Sequence, residues 1–136
     1  MIIMVAMDDS GFARAALDQA LKMAAAVKAE VVAVSVVPHL GLVEGMQDSM
    51  IARLESEAAS LMEEAASAGS KQGVTVKTRV ASGVSPADSI IDVAREIKAD
   101  LIVVGHRGKS NLEKFLIGSV TNALVTYAPC SVLVVK

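Results

Sequence analysis

Three adjacent polar residues, Asp8, Asp9 and Ser10, follow an apolar run near the beginning of the sequence. A carboxylate at such a turn can cap a helix, accept a hydrogen bond from a ribose hydroxyl, or hold a metal ion that is bound to phosphates. Capping would need only one of Asp9 and Ser10, and it leaves Asp8 unexplained. The turn therefore favours a ligand-binding role for Asp8.

A second polar segment is rich in glycine and basic residues. It reads Gly105-His106-Arg107-Gly108-Lys109-Ser110, and Gly118-Ser119 follows at the start of the last predicted helix. Glycine lets backbone N–H groups approach an anion closely, and a helix N-terminus adds its dipole and its unpaired donors. The segment from 105 to 119 has a net charge of +2, whereas the whole chain carries −2. We expect an anion here; the alternative is an ordinary glycine-rich turn with solvated basic residues.

Two common nucleotide motifs are excluded by the spacing. Gly108-Lys109-Ser110 resembles the end of a Walker A loop, but that motif needs a glycine at position 103, where Val103 lies in a predicted strand. No Gly-x-Gly-x-x-Gly follows a predicted strand, so the usual dinucleotide site is not indicated. Neither His39 nor His106 has a sequence context that marks a general base.

The elements that must position these residues alternate along the whole chain in the order β-α-β-α-β-α-β-α-β. Apolar or alternating runs predict strands at 2–7, 31–37, 74–80, 101–104 and 132–135. Helical spacing predicts helices at 10–28, 46–69, from 86 onward and at 120–127, the third with Ser85 as its N-cap and Pro86 at its first position. Strands separated by helices pair in parallel with right-handed crossovers.

The predicted fold is α/β: a single doubly wound five-stranded parallel sheet with helices on both faces. The orders 2-1-3-4-5 and 3-2-1-4-5 are both common, and we favour 3-2-1-4-5, the half-Rossmann arrangement. Strand three alternates valines with Thr75, Lys77 and Arg79 and so suits an edge. The strand order then reverses between strands one and four, beyond whose carboxyl ends ligands bind in such sheets.

The composition narrows the classes of function. The 136 residues fit one domain, 1–136, and the core must be aliphatic because 53% of residues are hydrophobic but only 2% aromatic. A net charge of −2 without a basic face or tail indicates no nucleic acid partner, and the lack of a long apolar run or leader indicates a cytoplasmic protein with no membrane partner. The lone Cys130 has no disulfide partner within the chain and no ligand at metal-binding spacing.

The spaced glycines, Gly105-x2-Gly108-x9-Gly118-Ser119, together with the Asp8-x-Ser10 turn, resemble the universal stress protein family. The resemblance extends over essentially the whole chain and includes Gly83-Val84-Ser85-Pro86 and Ala128-Pro129-Cys130. Ser131 departs from the pattern, because the family often has a proline there, and this change leaves the nucleotide site untouched.

The resemblance implies a 3-2-1-4-5 sheet, a homodimer and, in members that keep the glycines, bound ATP or AMP, with Mg²⁺ on the phosphates. It places Asp8 on the ribose and phosphate side, within the turn that ends at Ser10, and the backbone near Val36 against adenine. Two further groups of residues complete the implied site: Gly105, Arg107 and Gly108 line the loop, and Gly118, Ser119, Val120 and Thr121 cradle the phosphates.

The predicted function is that of a nucleotide-responsive regulatory or stress module whose surface is read by another protein. The uncharged last strand predicts the homodimer contact. One alternative is a slow ATPase. Another is a receiver-like phosphoacceptor domain that uses Asp8 and Asp9, but it requires an aspartate at the end of strand three, where Val80-Ala81-Ser82-Gly83 supplies none.

Overall fold

The structure, a computed structural model, describes residues 1–38, 48–107 and 118–136. Its strands are β1 (Ile2–Met7), β2 (Glu30–Pro38), β3 (Val76–Gly83), β4 (Leu101–Gly105) and β5 (Ser131–Val135), and its helices are α1 (Gly11–Val27), α2 (Asp48–Lys71), α3 (Pro86–Ile97) and α4 (Ser119–Tyr127). All strand pairs are parallel, and the order is β3-β2-β1-β4-β5. The predicted fold class and strand order are confirmed.

Two hydrophobic clusters lie on opposite faces of the sheet. Ile3 and Val5 pack with α1 and α2 on one face, while Met4 packs with α3 and α4 on the other. All three side chains are fully buried. Burial on both faces explains why β1 is apolar throughout and shows no alternation.

Small residues let α1 lie close to the sheet. The buried face of this helix carries four alanines, each at most 3% exposed: Ala13, Ala16, Ala20 and Ala24. Leu17 and Leu21 fill the spaces between them. The chain thus builds a dense core almost without aromatic residues.

The end of α2 differs from the prediction. Gly69 was expected to end this helix, but the helix continues to Lys71 and the left-handed residue is Gly73, with φ +71. A Cβ at Gly69 would lie 2.5 Å from a methyl group of Val76 and 2.6 Å from the Val74 carbonyl oxygen. Gly69 therefore serves close packing against the start of β3, and Gly73 ends the helix.

Helices α1 and α3 end in the same manner. Lys28 and Lys98 adopt left-handed backbone angles, with φ 56 and 55, and the next residue of each bonds back to the last turn: Ala29 to Ala24 and Ala99 to Ala94, both at 3.0 Å. Glycine is the usual residue at such a position. Neither helix end could be recognised from a glycine signal.

Strand β3 is an edge, as predicted, although it begins two residues later than expected. Val74, just before the strand, and Val76 pack against α2, whereas Val80 in the middle of the strand is 46% exposed. The basic side chains of Lys77 and Arg79 form ion pairs with Glu30 and Glu96. Among the described residues, no helix has the length and apolar composition that a membrane span requires.

Candidate nucleotide site

The central strands β1 and β4 separate before their carboxyl ends. Their ladder stops at the pair Val5 and Val103, whereas the ladder between β1 and β2 continues to Met7 and Ser35. The ladder between β4 and β5 likewise continues to Gly105. The strand order reverses at this same point, so the separation forms the mouth of a crevice where ligands bind in doubly wound sheets.

The turn after β1 is organised by Ser10. Its hydroxyl oxygen accepts a hydrogen bond from the backbone N–H of Ala13 at 3.1 Å, which makes Ser10 the N-cap of α1. The same hydroxyl donates its proton to Oδ1 of Asp8. Ser10 is buried and Asp8 is half-buried. Because a serine has one proton to donate, its role at this turn is to cap the helix and orient Asp8.

Asp9 forms an ion pair with Arg14. The Arg14 guanidinium contacts Oδ1 of Asp9 at 2.8 Å and Oε1 of Glu64, in α2, at 2.9 Å. Hydrogen bonding to Glu64, and then to Asp9, raises the pKa of Arg14 above its ordinary value. Arg14 therefore links the turn after β1 to α2. Asp8 bonds to Ser10, whereas Asp9 bonds to Arg14. This difference weighs against a Mg²⁺ site shared by both carboxylates.

Gly105 allows the first turn of α1 to pack against the end of β4. A Cβ at this position would lie 2.7 Å from Cβ of Phe12 and 2.8–2.9 Å from its carbonyl carbon and oxygen. Real Cβ atoms do not approach backbone so closely, and Gly105 itself is buried. The absence of a side chain at Gly105 is therefore explained by packing alone.

Phe12 is a site residue that the sequence analysis missed. The Arg107 guanidinium carbon lies 5.1 Å from the centre of its ring, within the range of a cation–π interaction. The ring of His106 also contacts Phe12, and the centroids of the two rings are 6.3 Å apart. Phe12 is one of only three aromatic residues and comes two positions after the Ser10 cap, a signal that could have identified it.

Gly118 returns the chain to the end of β4. Its backbone N–H donates to the His106 carbonyl at 3.0 Å, and the His106 N–H donates to the Val135 carbonyl at 2.7 Å. Helix α4 starts at Ser119, and its N-cap residue, Gly118, has no side chain that could cap the helix. The first helical turn leaves N–H groups outside the helical pattern, so this terminus is suited to an anion.

Thr121 makes a buried contact between α4 and β4. Its Oγ1 donates to the Gly105 carbonyl oxygen at 2.7 Å, and the residue is 2% exposed. The hydroxyl has only one proton, and that proton is used here. A phosphate at this terminus would meet the backbone N–H of Thr121, not its hydroxyl.

The structure places most of the predicted residues at one edge of the sheet. Asp8 and Ser10 follow β1. Gly105 is the last residue of β4, and Arg107 follows it. Gly118 is the N-cap of α4, which begins with Ser119, Val120 and Thr121. Val36 is half-buried near the end of β2, opposite Ala81 of β3. Gly108 lies outside the described residues, as do His39, Lys109 and Ser110.

Known proteins are similar to this chain in sequence and in fold. The family model of the universal stress protein family matches residues 1–136. A universal stress protein of Methanocaldococcus jannaschii is 36% identical and aligns with 98% of this chain and 81% of its own length.

Three solved structures of universal stress proteins are also similar to this chain in sequence and fold. UspA of Lactobacillus plantarum is 29% identical with a TM-score of 0.88, covering 100% of this chain and 97% of that one. A universal stress protein in complex with cAMP is 26% identical with a TM-score of 0.79, covering 100% and 97%. One from Archaeoglobus fulgidus in complex with dAMP is 27% identical with a TM-score of 0.79, covering 100% and 98%. The chain belongs to the universal stress protein family.

Proposed function

We propose that this protein binds an adenine nucleotide in the crevice beyond β1 and β4 and works as a nucleotide-responsive regulatory module. One observation carries the proposal: the N-terminus of α4, whose N-cap residue Gly118 has no side chain, lies at the end of β4, where the strand order reverses. The half-buried carboxylate of Asp8 lies at the end of the neighbouring strand. The complexes of two relatives with cAMP and dAMP support an adenine ligand.

We assign the parts of the ligand to residues as the resemblance to the family implies. Asp8, oriented by Ser10, accepts from ribose hydroxyls, and the backbone near Val36 meets adenine. Phosphates lie against α4, where Gly118, Ser119, Val120 and Thr121 contribute backbone N–H groups. Gly105, Arg107 and Gly108 line the loop. The ligand is ATP or AMP, and with ATP a Mg²⁺ ion would be held mainly by phosphate oxygens and water.

Adjacent aspartates offer a matched test of this assignment. Asp8→Asn and Asp9→Asn remove the same charge from neighbouring positions, but only Asp8 is placed on the ligand. We expect Asp8→Asn to weaken AMP binding by about tenfold, the effect of losing one charge-assisted hydrogen bond. Asp9→Asn should bind like the parent. Calorimetric titration measures both, and equal affinities for the two variants would contradict the role of Asp8.

Gly118→Val tests the phosphate side. A β-branched side chain at Gly118 would obstruct the approach of phosphate to the N–H groups of α4, and we expect no measurable AMP binding. Circular dichroism should show a folded protein. A folded variant with parental affinity would mean that the phosphate binds elsewhere.

The proposed role is that of a sensor in the cytoplasm, within one domain that covers residues 1–136. Bound nucleotide would alter a surface that a protein partner reads, and the net charge of −2 gives no support for a nucleic acid partner. The His106 ring contacts Phe12, which does not place it as a general base. ATP turnover should therefore be slower than about 1 s⁻¹, and a phosphate-release assay that found faster turnover would show an enzyme.

We further propose a homodimer through β5. This edge strand pairs only with β4 among the described residues, and its last four residues are half-buried and uncharged. Val125 and Tyr127 of the preceding helix are 54% and 68% exposed. The other edge, β3, carries the ion pairs of Lys77 and Arg79, which protect it from pairing.

Two exposed edge residues test the dimer. Ser131→Lys adds a charge at the start of β5, and Thr78→Lys adds the same charge to β3; both residues are exposed, so the monomer should tolerate either change. We expect sedimentation to show a dimer for the parent and for Thr78→Lys, and dissociation for Ser131→Lys. A monomeric parent at micromolar concentration would contradict the proposal.

A further inference from the structure

The dipeptide Gly105-His106 is a junction of four elements. The first turn of α1 packs on Gly105 through the Phe12 backbone. The Gly105 carbonyl accepts the Thr121 hydroxyl of α4. The His106 backbone bonds to Val135 of β5 and to Gly118. Among the described residues, the start of α4 is thus joined to Gly105, at the end of β4, by a side-chain bond and to the next residue, His106, by a backbone bond.

The side-chain bond is the more sheltered of the two connections. Thr121 is 2% exposed, and its Oγ1 lies 2.7 Å from the carbonyl oxygen, so water does not compete for this bond. Thr121 is the third residue of α4. A bond at this position limits both the rotation of the helix and its distance from β4, and these two quantities determine where the N–H groups of Ser119 and Val120 point.

We propose that Thr121 is a positioning residue, whose hydroxyl holds the N-terminus of α4 against the Gly105 carbonyl so that the helix binds the phosphate of the nucleotide. This role rests on the proposed nucleotide site. It assigns to the side chain no contact with the ligand. It also limits the effect to the phosphate, because the ribose and the base are assigned to β1 and β2.

The test compares AMP with adenosine, which lacks the phosphate. Thr121→Val keeps the shape of the side chain but removes the hydroxyl, and Thr121→Ser keeps the hydroxyl. We expect Thr121→Val to weaken AMP binding by about tenfold and leave adenosine binding unchanged, while Thr121→Ser retains parental affinity for both. Thr126→Val is the matched control, because its hydroxyl donates to the Asn122 carbonyl at 2.9 Å on the exposed side of the same helix.

Each outcome of this comparison is informative. Parental AMP affinity in Thr121→Val would overturn the positioning role, as would an equal loss for AMP and adenosine, which would mean a general structural effect. A parent protein that binds neither ligand would overturn the proposed function and this role with it. If Thr121→Val does not fold, Thr121→Ala and Thr121→Ser provide the same contrast between absence and presence of the hydroxyl.

Discussion

Helices α3 and α4 both begin beyond the carboxyl ends of strands, but they differ in how the N–H groups of their first turns are capped. In α3, the Ser85 side chain accepts from the Asp88 N–H at 3.3 Å, Pro86 occupies the first position, and the Asp88 carboxylate lies in the first turn. In α4, the N-cap position is Gly118, which has no side chain to cap the helix, and the first turn has no acidic residue. In α3 the Ser85 side chain thus satisfies one of the free donors, whereas the N-cap residue of α4 has no side chain that could do so.

The start of α1 shows a third arrangement. Ser10 caps this helix as Ser85 caps α3, but its proton also goes to Asp8. One residue therefore closes a helix terminus and orients a carboxylate at the crevice. A capped helix start therefore occurs both at the proposed site, in α1, and away from it, in α3, and the feature peculiar to α4 is an N-cap residue without a side chain.

The largest expected effect comes from disturbing the packing of α1 against the end of β4, the same strand end that accepts the Thr121 hydroxyl of α4. Gly105→Ala would place a methyl group 2.7 Å from Cβ of Phe12 and 2.8–2.9 Å from its carbonyl carbon and oxygen, and we expect the free energy of unfolding to fall by about 1–3 kcal/mol. Gly11→Ala is the control, because no heavy atom lies within 4 Å of a Cβ there. Urea denaturation measures both; a Gly105→Ala variant as stable as the parent would refute the packing role.

A smaller effect should follow from giving α4 the cap that α3 has. The backbone of Gly118, at φ −58 and ψ 151, accepts a serine without strain. The new hydroxyl in Gly118→Ser would accept from the first turn and compete with phosphate, so AMP affinity should fall roughly fivefold while the protein gains about 0.3 kcal/mol of stability. Calorimetry and urea denaturation check the two values. An affinity equal to that of the parent would show that these N–H groups do not bind the ligand.

The smallest effect is expected where the cap of α3 is removed. Ser85→Ala should lower the free energy of unfolding by about 0.5 kcal/mol, at the low end for such caps because the bond is long and exposed. AMP affinity should not change, since this terminus is closed by its own residues. A loss of AMP affinity in Ser85→Ala would mean that α3 contributes to the site and would remove the contrast with α4.

The spacing of apolar residues predicted most of the fold, because the burial of each helix or strand determines where apolar residues occur along it. Runs without alternation identified strands that are buried on both faces, and Ser85-Pro86 located the start of α3 to the residue. The ends of the helices were harder to predict from the sequence. Lys28 and Lys98 take left-handed angles without a glycine signal, and the end of α2 was placed at Gly69, a residue that serves packing.

The sequence alone determined the order of the elements, the edge position of β3 and the polar turn at Asp8. Each of these features can be recognised from residues that are close together in the sequence. Only the tertiary structure separated the tasks of the two glycines, Gly105 for contact with α1 and Gly118 for an uncapped helix start. It also directed the Thr121 hydroxyl to a carbonyl sixteen residues away in sequence. Such contacts depend on how whole elements pack together, which local spacing does not record.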